Sequence, residues 1–139
     1  MRVLALDVGD RRIGVAVSDT LGLTAQRLTV VARRGLTEDL EQVRTLVSTH
    51  QVGTIVVGLP LTTGGERGRQ AQKVLAFSNA LTRQCAVPVQ LVDERFTTLQ
   101  GQRALAEAGT PSRKRKALID QVAAQLILQQ FLDAQRAAR

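Results

Sequence analysis

The sequence predicts an α/β fold: a mixed five-stranded sheet, an antiparallel meander followed by parallel strands, flanked by helices on both faces. Three observations carry that expectation. Short apolar runs separated by tight polar turns open the chain, as the strands of a meander do. Two later runs, Val52 to Leu59 and Val87 to Val92, are largely apolar, the pattern of strands covered on both faces. Between and after them the apolar spacing changes to the helical period, and strand–helix–strand crossovers lay helices over a sheet.

The elements follow in order. Val3 to Val8 reads as the first strand and Ile13 to Ser18 as the second, joined as a hairpin through Gly9-Asp10-Arg11-Arg12. Gln26 to Arg33 is the third. Thr37 is the expected N-cap of the first helix. Glu38 and Asp39 stand in the turn where carboxylates suit the helix dipole, and Leu36, Leu40, Val43 and Val47 recur at helical spacing. Val52 to Leu59 is the fourth strand, stopped by Pro60. After the glycine-rich loop Thr62 to Arg69, a second helix gathers Ala71, Val74, Leu75, Ser78 and Leu81 on one face. Val87 to Val92 is the fifth strand, expected to be buried, and it runs into "DERFTT". A helix from about Leu99 to Ala108, a basic loop "GTPSRKRK" and an amphipathic helix from about Lys116 to Ala134 complete the pattern. No repeat or linker divides it, so one domain, 1–139, is expected. The order fits the ribonuclease H-like fold.

Composition narrows the function. The chain carries 19 Lys+Arg against 12 Asp+Glu, a net charge of +7, which points to a polyanionic partner. Codon bias explains arginine over lysine but not base over acid. Three Phe, with no Trp or Tyr, argue against a base-stacking platform. One Cys and one His exclude a disulfide and a Cys- or His-rich metal site, so a metal here needs oxygen ligands, which means Mg²⁺ or Mn²⁺. No secretory pattern and no apolar run long enough for a membrane span are present, so a cytoplasmic protein without membrane contact is expected.

Three acids stand where apolar residues are expected, or at the adjoining edge. Asp7 ends the first strand, Glu94 ends "VQLVDE", and Asp120 opens the last helix. Ala123, Ala124, Ile127 and Phe131 share a helical stripe with Asp120, which turns that acid toward the sheet. With the first and last strands near each other, the three converge. Converging carboxylates repel, and a hard divalent ion neutralises them. Such an ion activates water and stabilises the leaving oxygen of a phosphodiester. Each acid also has a plainer reading: a strand-end turn former for Asp7, a helix cap for Asp120, a surface pair with Arg95 for Glu94. Asp93 competes with Glu94, since successive strand residues face opposite ways. Arg11 and Arg12 in the hairpin turn, and Arg113, Lys114, Arg115 and Lys116 before Asp120, are candidate phosphate contacts. "GDRRIG" lacks the spacing of a nucleotide loop and joins strand to strand.

"LALDVGDRRIGVAVSD", "IVVGLPL", "VDERFTT" and "IDQVAAQLILQQFL" together resemble the YqgF/RuvX family. Its members are small bacterial proteins assigned both as Holliday-junction resolvases and to maturation of the 16S rRNA precursor. The resemblance runs through nearly the whole chain. It implies a ribonuclease H-like, metal-dependent nuclease whose catalytic acids fall on Asp7, on Glu94 of "DER" and on Asp120. Two departures stand out. The usual glycine-threonine-lysine turn is Gly9-Asp10-Arg11 here, and the fourth acid that related resolvases carry one turn along the last helix is Ala123.

The leading expectation is an Mg²⁺- or Mn²⁺-dependent endonuclease acting on structured nucleic acid, above all the 16S precursor RNA, as a monomer. A Holliday junction resolvase is the alternative; it cuts branched DNA at two symmetric sites and so requires a homodimer. A non-catalytic nucleic-acid-binding module is the third reading. An actin-like kinase needs two domains around its nucleotide, more than this length supplies.

Overall fold

A computed structural model describes residues 1–61, 68–94 and 113–138, with side chains of the last segment from Leu118 onward. Strands β1 (Arg2–Val8), β2 (Arg12–Ser18) and β3 (Ala25–Ala32) are followed by α1 (Leu36–Thr49), β4 (Val52–Pro60), α2 (Arg69–Gln84), β5 (Val89–Glu94) and α3 (Arg113–Ala137). The sheet order is β3-β2-β1-β4-β5. β2 runs antiparallel to both β1 and β3, and β1, β4 and β5 run parallel. The meander, the crossovers and the two-faced helical cover agree with the expected mixed sheet. The expected helix near Leu99 to Ala108, most of the glycine-rich loop after Leu61, and "RFTT" lie outside the described residues.

Alternation along the strands assigns the two faces. Leu4, Leu6 and Val8 of β1 join Ile13, Val15, Ile55, Val57 and Leu59 in a core covered by Leu40 and Val43 of α1 and by Val74, Phe77 and Leu81 of α2. The opposite face is built from smaller groups: Ala5, Ala16, Ala25 and Val56 meet Ala124, Ile127, Leu128 and Leu132 of α3. Short side chains on both partners bring helix and sheet close together. At Gly14 the approach is so tight that a Cβ would overlap the carbonyl group of Asp120. Two glutamines fix where α3 sits along its axis. Gln125 Nε2 donates to the Ala25 carbonyl at 3.0 Å, and the Ala25 N–H donates to Gln129 Oε1 at 3.0 Å. At the β2–β3 turn, Asp19 accepts the Leu23 N–H at 2.7 Å, and that bond holds its carboxyl below the ordinary range.

Four expectations change. The N-cap of α1 is Gly35 and no side chain caps it. Thr37 is inside the helix, and Leu36 is exposed rather than part of the buried stripe. β5 is an edge strand, with Leu91 41% exposed, and not a buried one. Its apolar run misleads because periodicity cannot separate an edge position from a central one. The helix α3 begins at Arg113, so Arg113 to Lys116 form its first turn instead of a loop, and Asp120 lies two turns in rather than at the start. A cap role for Asp120 is thereby excluded.

The contact at Gly14 is testable. Gly14→Ala forces the backbone of α3 away from β2, and we expect a loss of about 3 kcal/mol, the upper end for overpacking, in urea unfolding. A cost below about 0.5 kcal/mol, the range of inert surface changes, would contradict so close an approach.

Candidate active site

Parallel strands deliver their C-terminal ends to one sheet edge, where open α/β sheets characteristically bind ligands. β1 ends there with Asp7, β4 with Gly58 to Pro60, and β5 with Glu94. α3 crosses above β1 and β2 and adds Asp120. All three acids line one cavity of about 520 Å³. Asp7 is 9% and Glu94 6% exposed, so both carboxylates are held by the fold rather than by solvent. β4 separates β1 from β5, and glycines keep the space between the acids open. Gly14 of β2 pairs with Asp7 of β1. On β4, a Cβ at Gly58 would stand 3.1 Å from Glu94 Oε2 and 2.6 Å from Ile127 Cδ1. A larger residue at Gly58, which lines the cavity, would crowd Glu94, and one at Gly14 would meet the backbone of Asp120. Neither glycine stood out in the sequence as functional, although a glycine inside a strand pattern signals a close approach.

The pleat separates Asp93 from Glu94: Glu94 lines the cavity and Asp93 is exposed. Arg12 and Arg11 also line the cavity. Arg12 does not project freely, because its Nε donates to Asp120 Oδ2 at 2.6 Å. Asp10, the unusual acid of the turn, is exposed and faces Lys73 Nζ at 3.2 Å, so its charge is answered from α2. Gln70 Nε2, at the start of α2, donates to the Val8 carbonyl at 3.3 Å beside the same turn. Arg113 to Lys116 precede Asp120 on the same helix, by one to two turns. Their side chains are outside the described residues.

Nothing in the residue pattern singles out Arg33. Its Nε donates to Asp39 Oδ2 at 3.0 Å, its Nη1 donates to the Gly9 carbonyl at 2.9 Å, and its guanidinium lies 5.3 Å from the ring centroid of Phe77. The Arg33 N–H also donates to the Arg11 carbonyl at 2.9 Å. Asp39 stands in the first turn of α1 as expected; it is also 1% exposed and accepts from Arg33 and from the Arg34 N–H. One ion pair, with Asp39 buried and Arg33 partly exposed, thus joins the end of β3, α1 and α2 to the turn that follows Asp7.

Chemically, the cavity offers carboxylate oxygens and guanidinium groups. His50 lines a different cleft of about 890 Å³ near the starts of β1 and β4, and Cys85 ends α2. Ala123, one turn beyond Asp120, is fully buried, so no acid occupies the fourth position. Oxygen donors suit a hard divalent ion, and the missing Cβ of Gly58 leaves room beside Glu94. Among the described residues, no three His, Cys, Asp or Glu side chains form a ready coordination group. Asp120 is turned to Arg12.

An acid-lined edge on a sheet of this order defines a ribonuclease H-like protein. Two solved structures share that fold over almost the whole chain. One is T. thermophilus RuvC in complex with a Holliday junction substrate, with a TM-score of 0.57, 17% identity, and coverage of 99% of this chain and 96% of that one. The other is the fowlpox virus Holliday junction resolvase, with a TM-score of 0.55, 10% identity, and coverage of 96% and 99%. The chain belongs to the RuvX family, described as Holliday junction resolvase, whose model matches residues 1–134. A protein of Thermoanaerobacter pseudethanolicus is 46% identical over 137 residues, 98% of this chain and 99% of its own length. One of Clostridium novyi is 45% identical over 134 residues, 96% and 99%. Both carry the name "Putative pre-16S rRNA nuclease". Among the described residues, no helix is long and apolar enough to cross a membrane.

Removing Arg33 leaves Asp39 buried without its cation. We expect Arg33→Ala to cost about 3 kcal/mol, the low end for a broken buried pair because Arg33 is partly exposed. Asp39→Asn in the same chain should restore part of it. Denaturant unfolding of the two single variants and the double variant gives the coupling; strictly additive losses would rule the pair out as a unit.

Proposed function

We propose that this protein is a divalent-metal-dependent endonuclease that cuts structured nucleic acid, with processing of the 5′ end of the 16S rRNA precursor as its main task. The observation that carries the reading is the convergence of Asp7, Glu94 and Asp120 on one cavity whose rim bears Arg11 and Arg12. Relatives near 45% identity that are named for pre-16S rRNA support the choice of RNA, and the net charge of +7 suits a polyanion.

Asp7, Glu94 and Asp120 are the residues that would hold Mg²⁺ or Mn²⁺. Such an ion, when bound, lowers the pKa of a water and steadies the charge on the leaving oxygen. The chain's own contribution is positioning. Asp7 and Glu94 are fixed by strands paired through β4, so their carboxylates need little reorganisation. Arg33 holds the Gly9 carbonyl and so the turn carrying Arg11. Arg11 is exposed at the cavity mouth, where it can bind a phosphate and align the chain to be cut. Arg113 to Lys116, on the first turn of α3, are further candidate phosphate contacts.

A second reading is favoured by the family description, Holliday junction resolvase. Symmetric cutting of a four-way junction needs two copies related by a two-fold axis. A mass in solution that stays monomeric with junction DNA counts against it.

The test is cleavage of precursor rRNA and of four-way junction DNA with Mn²⁺, with and without chelator. Asp7→Asn and chelation should each reduce cleavage at least about 100-fold, since even outer-shell changes cost 10–100-fold at metal sites. Equal cleavage by wild type and Asp7→Asn would overturn the nuclease assignment. Tight RNA binding with no cleavage by either would favour the non-catalytic module.

A further inference from the structure

Arg12 stands in an unusual place for a phosphate contact. It opens β2 on the face that also carries Gly14 and Ala16, the face covered by α3. Gly14 lets α3 descend onto β2, and Arg12, one pleat away, then meets the Asp120 carboxylate at 2.6 Å. Both side chains are partly buried, at 33% and 17% exposure. Among the described residues, Arg12 is the partner that bonds to Asp120, through Oδ2. The pair therefore couples a proposed metal ligand to a proposed phosphate contact.

A guanidinium and a divalent cation cannot both sit against one carboxylate without repelling each other. We propose that Arg12 and the divalent cation compete for Asp120. The Arg12–Asp120 pair is the resting state of the site. Cation binding frees the guanidinium, which then takes a phosphate oxygen of the nucleic acid. This rests on the metal-dependent reading above. Arg12 is thus a positioning residue that couples ion loading to substrate grip. The arrangement also accounts for the lack of a ready three-acid coordination group among the described residues.

The experiment is calorimetric titration of Mn²⁺ alone into wild type, Arg12→Gln, Arg12→Lys and Asp7→Asn. Thermal unfolding of each without metal confirms that it is folded. Competition predicts that Arg12→Gln binds Mn²⁺ about 3- to 10-fold more tightly than wild type, a coupling of about 0.7–1.4 kcal/mol, while Arg12→Lys stays within about 3-fold. Binding to four-way junction DNA is measured with Ca²⁺ in place of Mn²⁺. There Arg12→Gln should lower the salt slope by about one relative to wild type, and should leave it unchanged without the ion. Unchanged or weaker Mn²⁺ binding by folded Arg12→Gln overturns the competition while leaving the metal site standing. If wild type binds no Mn²⁺, or binds it equally after Asp7→Asn, the metal-dependent reading fails and the competition fails with it.

Discussion

The close approach of α3 to the sheet is the constraint on which the site depends. Asp7 and Glu94 belong to strands, and their positions follow from register alone. Asp120 belongs to a helix and reaches them only because the sheet face beneath it is made of glycine and alanine. Gly14 and Ala16 on β2, Ala5 on β1 and Ala123 and Ala124 on α3 remove the side chains that would hold the helix away. The other face, built from leucine, isoleucine, valine and phenylalanine, supplies most of the large buried side chains. One face therefore carries much of the apolar burial, and the other sets the spacing needed for chemistry. Close-packed interiors transmit small volume changes, so a single methyl group on the small face reaches the acid directly.

The second requirement is counter-charge. Carboxylates gathered at one sheet edge destabilise the fold unless cations answer them. The chain does this locally, pair by pair. Arg12 meets Asp120, Lys73 meets Asp10, and Arg33 meets Asp39 behind the turn. These pairs are not equivalent. Lys73–Asp10 is open to solvent and contributes little to stability. In Arg33–Asp39 the carboxylate is buried, and Arg33 also holds two carbonyls of the hairpin, one through its side chain and one through its backbone N–H. It locks the piece of backbone that carries Arg11 relative to Asp7.

How much was legible in the sequence depended on whether a residue's role is local. Asp7 was legible because a charge that closes an apolar strand is anomalous wherever the strand pairs. Asp120 was legible because four apolar residues share its helical stripe. Glu94 could not be separated from Asp93 by spacing; the pleat and the position of α3 decide which of them meets the cavity. Arg33 and Asp39 were illegible because they are six residues apart with a glycine turn between them, and only the folded chain brings them together around Gly9. Gly14 and Gly58 looked like ordinary strand glycines. Their importance lies in what stands across from them, an acid of β5 and the backbone of α3, and neither is near them in sequence. The start of α3 was misread because "SRKRK" has no apolar spacing, and a helix turn that lacks a buried stripe leaves no periodic trace.

Ala123 shows how the two requirements meet. The sequence resemblance implies that related junction resolvases of this fold carry an acid at this position, one turn beyond Asp120. Here the position is a fully buried alanine. An acid there would place a charge in a buried position, which costs free energy unless it is paired. Three acids line the cavity, and the guanidinium of Arg12 answers one of them, Asp120. A site with less negative charge attracts a second divalent ion less strongly.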